Sequence, residues 1–104
     1  MAQITWTEPA LIDLDEIAEY IALSNPYAAS NLVNEVFSKV ERLEQFPKSG
    51  KSPLEIPELN YREVVIEPCR VFYRLENDIV YIVHVCRDER SLRKFLIERG
   101  SLSE

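Results

Sequence analysis

A chain of 104 residues with 46% hydrophobic content is long enough for one compact core and too short for two, so a single domain over residues 1–104 is expected. Its net charge of −6 argues against a general nucleic-acid binder held by a basic surface. No stretch approaches the roughly 20 apolar residues that span a bilayer, and the opening MAQITWTEPAL lacks the basic region and apolar run of a secretory signal; a cytoplasmic protein with no membrane association is expected. In that compartment Cys69 and Cys86 read as reduced thiols. Without a CxxC pair or a histidine cluster, neither a metal nor another cofactor is expected.

In chain order, QITWT alternates Ile4 and Trp6 with polar neighbours and predicts a short strand. Thr7 is the expected cap of a following helix, with Pro9 in its first turn and Leu11, Leu14, Ile17, Ala18 and Ile21 on one stripe. Asp13, Asp15, Glu16 and Glu19 fall mostly off that stripe and read as a solvated face. SNPY breaks the helix, and Asn25 caps a second one from Pro26. There Ala29, Leu32, Val33, Val36, Phe37, Val40, Leu43 and Phe46 form an apolar stripe that Pro47 ends. PKSGKSPLEIPELN, with three prolines and a glycine, predicts a surface loop. Its lysines, Lys48 and Lys51, read as solvated.

Three strands are expected near 61–66, 70–75 and 79–86, joined by turns at Glu67-Pro68 and Asn77-Asp78. DERSLRKFLIERG then predicts a short helix capped by Asp88, with Leu92, Phe95 and Leu96 on one face and Gly100 as its stop. The expected fold is therefore α+β: a small antiparallel sheet of about four strands against an N-terminal helical hairpin, in the order β-α-α-β-β-β-α.

A two-residue Asn77-Asp78 turn makes strand partners predictable, because opposed residues share a face. Arg70, Phe72 and Arg74 then face Val85, Val83 and Tyr81 on an open side. Cys69, Val71, Tyr73 and Leu75 face Cys86, His84, Ile82 and Val80 beneath the helices. The lone histidine, His84, has the chemistry of a general acid or base, but this register makes it structural. The face of Arg62 stays undetermined.

Arginines are unevenly placed. Residues 1–60 hold ten Asp and Glu against four Lys and Arg, whereas residues 61–104 hold eight of each, so an acidic partner would meet the second half. Arginine grips phosphate or carboxylate bidentately but stays protonated and moves no proton at neutral pH. With no spacing that singles out a proton-transfer set, anion recognition fits better than catalysis; pairing with the protein's own carboxylates is the structural alternative.

The order of a strand, an acidic helical hairpin, FPKSGKSP and then YREVVIEPCRVFYRLENDIVYIVHVCRDERSL resembles the RelE/ParE superfamily of type II toxin–antitoxin toxins over nearly the whole chain. The resemblance implies a small sheet backed by two helices, and a toxin silenced by an antitoxin encoded beside it. Arg70 and Arg90 match arginines of the ribosome-dependent RNA-cleaving members. Tyr61 and Glu63 stand where those members carry two basic residues, and Leu96 stands where they carry a catalytic tyrosine. The ParE branch is similar in YREVVI and RVFYR, and it poisons DNA gyrase without a hydrolytic site. Two departures from that branch are Arg87, where many members have histidine, and an acidic net charge where many are basic.

Three functions follow. The first is a gyrase-binding toxin with no catalytic residues, meeting target or antitoxin through Arg70, Arg74, Arg87, Arg90, Phe72 and Tyr81. The second is a nuclease using Arg62, Arg70, Arg87 and Arg90 with His84 or a lysine; the third is an inactive binding module on the same fold. The resemblance implies a short antitoxin with an acidic, disordered tail that folds on binding, assembled with the toxin as a heterotetramer.

Overall fold

The structure is a computed structural model describing residues 1–88 and 91–103. The chain runs β1 (Gln3–Trp6), α1 (Glu8–Ala22), α2 (Pro26–Glu41), a short 3-10 turn (Arg42–Glu44), β2 (Arg62–Ile66), β3 (Cys69–Glu76), β4 (Ile79–Arg87) and α3 (Leu92–Arg99). The expected element order holds. The sheet order is β1-β4-β3-β2, with β2, β3 and β4 an antiparallel meander.

The sheet is mixed, not wholly antiparallel, because β1 runs parallel to β4, pairing Gln3 with Ile79 through Trp6 with Ile82. Alternating hydrophobicity in QITW reports a pleat but no direction. Direction follows from the helical hairpin, which carries the chain from one edge of the sheet to the other.

Asn25 caps α2 by accepting from the Ala28 amide at 3.1 Å. Thr7 precedes α1 but does not cap it with its side chain. Its hydroxyl instead donates to the Ile82 carbonyl at 2.7 Å, tying the helix start to β4. Ser91, not Asp88, caps α3, accepting weakly from the Lys94 amide at 3.4 Å. Gly100 ends α3 at φ 81°, a conformation that suits a residue without Cβ. Asn77 and Asp78 both hold positive φ, at 48° and 65°, which gives the tight twisted turn expected between β3 and β4.

Both faces of the sheet are covered. On one, Leu14, Leu32, Val36, Val40 and Leu43 pack on Val71, Tyr73, Val80, Ile82 and Val85. On the other, Ile56, Leu92, Phe95 and Leu96 pack on Phe72, Val83 and Cys86. That second face was expected to be open. It is closed because the loop over residues 52–60 crosses it as a strap with Ile56 fully buried, and α3 lies beside the strap. Burying side chains of this size stabilises by about 1.5–3 kcal/mol each, enough to hold a loop whose composition reads as surface. By contrast Leu11, Phe37 and Phe46, expected in the core, are exposed.

The strap begins from a close approach. The Tyr73 hydroxyl donates to the Pro47 carbonyl at 2.8 Å and accepts from the Gly50 amide at 2.9 Å. A Cβ on Gly50 would lie 2.5 Å from that hydroxyl and 2.8 Å from the Glu63 carbonyl. Gly50→Ala should therefore destabilise the protein by about 1–3 kcal/mol through overpacking, read as a lower urea midpoint at unchanged slope.

Candidate functional site

The register matches expectation for Leu75–Val80, Arg74–Tyr81 and Tyr73–Ile82 and then slips. Phe72 opposes His84, Val71 opposes Val85, Arg70 opposes Cys86 and Cys69 opposes Arg87. Val83 is an extra residue on β4, a bulge that re-aims every side chain beyond it. His84 therefore leaves the helix-covered face for the strap face, and Arg87 makes the opposite move. Cys69 and Cys86 part to opposite faces as free thiols.

Arg70 is the most constrained of the sheet arginines. Its Nη1 and Nη2 donate to the two oxygens of Glu55 at 2.7 and 3.1 Å. Its Nε donates to Glu63 Oε2 at 3.0 Å, and its guanidinium lies 5.0 Å from the Phe72 ring centre. Glu63 is buried and Glu55 is on the strap, so the same charge fixes β3 to β2 and the strap to the sheet. Its hydrogen bonds to Glu55 and Glu63 hold the Arg70 proton more firmly than usual, and Arg70 in turn holds the Glu55 carboxyl below its ordinary range. The expected open-face position of Arg70 and Phe72 is thus corrected: Phe72 is fully buried and Arg70 nearly so.

A second network closes the far end of β4. β1 stops at the pairing of Trp6 with Ile82, and beyond it the Val85 amide donates to Asp13 Oδ2 at 3.0 Å. Asp13 is buried on α1 and binds Arg99 of α3, whose Nη1 lies 2.9 Å from the same oxygen. That Nη1 is also 3.1 Å from His84 Nδ1. Because arginine only donates, Nδ1 accepts and the ring proton sits on Nε2, directed at the Tyr61 hydroxyl 3.4 Å away. Burial first, and the neighbouring Arg99 second, push the His84 pKa down to about 4. The ring is neutral at physiological pH and already engaged at both nitrogens.

The remaining cations are scattered. Arg74 stands 3.2 Å from Glu76 and over the half-buried Tyr81 ring at 5.3 Å. Arg87, on the helix-covered face, lies over the Tyr20 ring at 4.9 Å. Arg62 shares a face with Tyr73 and donates to the carbonyls of Lys48 and Gly50 at 2.9 and 2.7 Å, which settles its position. Arg90 lies outside the described residues. So of the nuclease set, Arg70 and His84 share the strap face, while Arg62 and Arg87 are on the other side of the sheet. Asp13, expected on a solvated face with Asp15, Glu16 and Glu19, is instead buried, at helical spacing with Ala10 and Ile17; Arg99 was not singled out in the sequence, although it lies at helical spacing with Leu92, Phe95 and Leu96.

This order of elements, with two helices on one face of a four-stranded mixed sheet and a terminal helix on the other, is the RelE/ParE toxin fold. A solved chain from the "Chromosomal ParDE TA system from P. aeruginosa" superposes with a TM-score of 0.71 at 28% identity, covering 86% of this chain and 98% of that one. The toxin–antitoxin complex RelBE2 from Mycobacterium tuberculosis shares the fold at a TM-score of 0.55 and 19% identity, covering 83% and 96%. The family model for the ParE toxin of type II toxin–antitoxin system, parDE, matches residues 4–92. Toxin RelE2 of Caulobacter vibrioides is 31% identical over 86 residues, 82% of this chain and 93% of that one. Putative toxin Y4kP of Sinorhizobium fredii is 37% identical over 79 residues, 74% of this chain and 79% of that one. The chain belongs to the ParE toxin family and is a type II toxin of the ParE/RelE superfamily.

The depressed His84 pKa has a stability consequence with a definite sign. The unfolded chain protonates His84 near pH 6.5 and the folded chain near pH 4, so the unfolded state binds more protons between those values. Its contribution is complete above pH 6.5 and is lost as the pH falls towards 4. Urea unfolding should show stability falling across that window, and His84→Gln should flatten the fall. An equally steep fall in the variant would assign the loss to other groups.

Proposed function

We propose that this toxin acts by gripping DNA gyrase in the cytoplasm, not by cutting nucleic acid, and that a cognate antitoxin neutralises it, the two assembling as a heterotetramer. The observation that carries the reading is the neutralisation of Arg70 by Glu55 and Glu63. A guanidinium bracketed by two carboxylates offers a scissile phosphate no free charge. The only histidine is neutral, buried and hydrogen-bonded on both sides, so it stands apart from any solvent-facing proton transfer. Membership of the parDE family supports the gyrase branch, as does the presence of Tyr61, Glu63 and Leu96 where RNA-cleaving relatives carry proton-moving residues.

Direct contact to target or antitoxin is assigned to two separate places, Arg74 with Tyr81 on the strap face and Arg87 beside Tyr20 on the helix-covered face, each residue partly exposed, with Arg90 retained from its sequence position. Arg70 and Phe72 share the strap face with Arg74 and Tyr81 and would support that part of the surface from beneath. Purified toxin should block gyrase-driven supercoiling and leave isolated RNA and duplex DNA intact. Arg74→Glu with Arg87→Glu should weaken the block by about tenfold or more, since truncating or reversing interfacial charges costs on the order of 2 kcal/mol. Strand scission by the toxin alone would replace this reading with the nuclease one.

A further inference from the structure

We propose that the dent between β1 and α2, at the edge of the sheet opposite β2, seats a basic side chain of the target protein, presented on a segment that runs along β1. The proposal rests on the gyrase reading above and names the chemistry by which the toxin recognises that target at a surface the reading leaves unassigned.

The dent has a volume of about 240 Å3 and is lined by Ile4, Trp6, Phe37, Val40, Glu41 and Glu44. That is below the roughly 300 Å3 from which drug-sized ligands are enclosed, and it suits one long side chain. The backbone beside it is available to position that side chain. The sheet order puts β1 at an edge, and its inward hydrogen bonds come from alternate residues, the Gln3 amide donating to the Asp78 carbonyl at 2.9 Å and the Thr7 amide to the Ile82 carbonyl at 3.1 Å. Ala2, out of step with them, donates outward to the Glu44 carbonyl at 2.8 Å. Successive residues of a strand direct their backbone groups to opposite sides, so the amide and carbonyl of Ile4 also face outward, beside the dent.

The lining specifies a cation. Trp6 and Phe37 stand with ring centres 4.9 Å apart, and Trp6 is half-buried while Phe37 is 41% exposed, so aromatic surface remains open to a ligand. An ammonium or guanidinium group is attracted to such rings. Glu41 is exposed and Glu44 half-buried at the rim. Among the described residues, neither has a cation in salt-bridge range. A lysine or arginine would lay its methylene stem on Ile4 and Val40 and bring its charge to these carboxylates. The same carboxylates select against other occupants. They repel nucleic-acid phosphates and the acidic tail expected of the antitoxin, and a second copy of this chain, itself of net charge −6, carries the same repulsion. A basic segment of the target is the occupant that matches both the open backbone and the charge.

The test measures the affinity of the full-length toxin for purified gyrase and for the antitoxin encoded beside it, by calorimetry at two salt concentrations. E41K/E44K reverses the rim charge, and Phe37→Ser removes the more exposed ring; urea midpoints and antitoxin binding report that each variant is folded. Each should weaken gyrase binding by about tenfold or more. E41K/E44K should also flatten its salt dependence, and antitoxin affinity should stay within about twofold of the parent. Gyrase affinities within about twofold of the parent for both variants would overturn the seat and leave the gyrase reading standing. A parent protein that neither binds nor inhibits gyrase would overturn both. Weakening by only one of the two variants would overturn the seat as well, because rings and carboxylates are assigned to the same side chain. Antitoxin affinity that falls in step with gyrase affinity would reassign the dent to the antitoxin, and a parent dimer in sedimentation that Phe37→Ser dissociates would reassign it to a second copy; either result overturns the proposal.

Discussion

Arg70, held between Glu55 and Glu63, is the interaction on which the second face of this sheet depends. Charges taken out of water persist only when paired and hydrogen-bonded, and here three guanidinium nitrogens are matched by carboxylate oxygens from two separate segments. Because Glu55 belongs to the strap, the pairing keeps Ile56 seated over Phe72. Arg93 reinforces it from α3, donating to the Glu55 carbonyl at 2.8 Å and to Glu58 at 3.1 Å. Removing Arg70 would leave Glu63 as a buried, unpaired charge. The arginine that matches a catalytic group of RNA-cleaving members is, in this chain, paired with two carboxylates that join the strap to the sheet.

The bulge at Val83 sets the geometry around that pair. One extra residue carries His84 to the strap face, where α3 covers it, and turns Val85 and Arg87 towards α1. It also leaves the Val85 amide beyond the reach of β1. Asp13 takes the place of a strand partner there and is itself neutralised by Arg99, so a single carboxylate links α1, β4 and α3. The two ion-pair systems thus fasten the strap and the terminal helix over the same apolar cluster, and the first draws its cation, Arg70, away from solvent.

How much of this was legible follows from what leaves a mark in composition. Element order, the Asn25 cap, the Gly100 stop and the pairings nearest the Asn77-Asp78 turn rest on local chemistry and were readable. The bulge was not, because Val83 is an ordinary strand residue and the slip appears only in which partner it skips. The closed second face was hidden for a related reason. Ile56 sits among prolines and acids that read as a loop, and its burial depends on a charge pair formed across 15 residues of sequence. Phe37 and Phe46 show the reverse case, apolar residues at helical spacing that end up exposed, with Phe46 lining a groove beside β2. Asp13 read as part of a solvated face and Arg99 drew no reading, although each lies at helical spacing with buried apolar residues. The family was legible from the arginine- and tyrosine-rich meander, whereas the assignment of individual arginines was not.

On the function proposed above, the exposed cations recognise by position, and Arg70 is held by carboxylates away from chemistry. The most direct test is the solvent exchange of the Arg70 Nε proton, followed by nitrogen-15 NMR with and without inorganic phosphate. A slowly exchanging proton, with cross-peaks to the Phe72 ring and no response to phosphate, is the predicted result. Rapid exchange together with a phosphate-induced shift would place Arg70 in solvent, free to act on an anion, and would contradict the account.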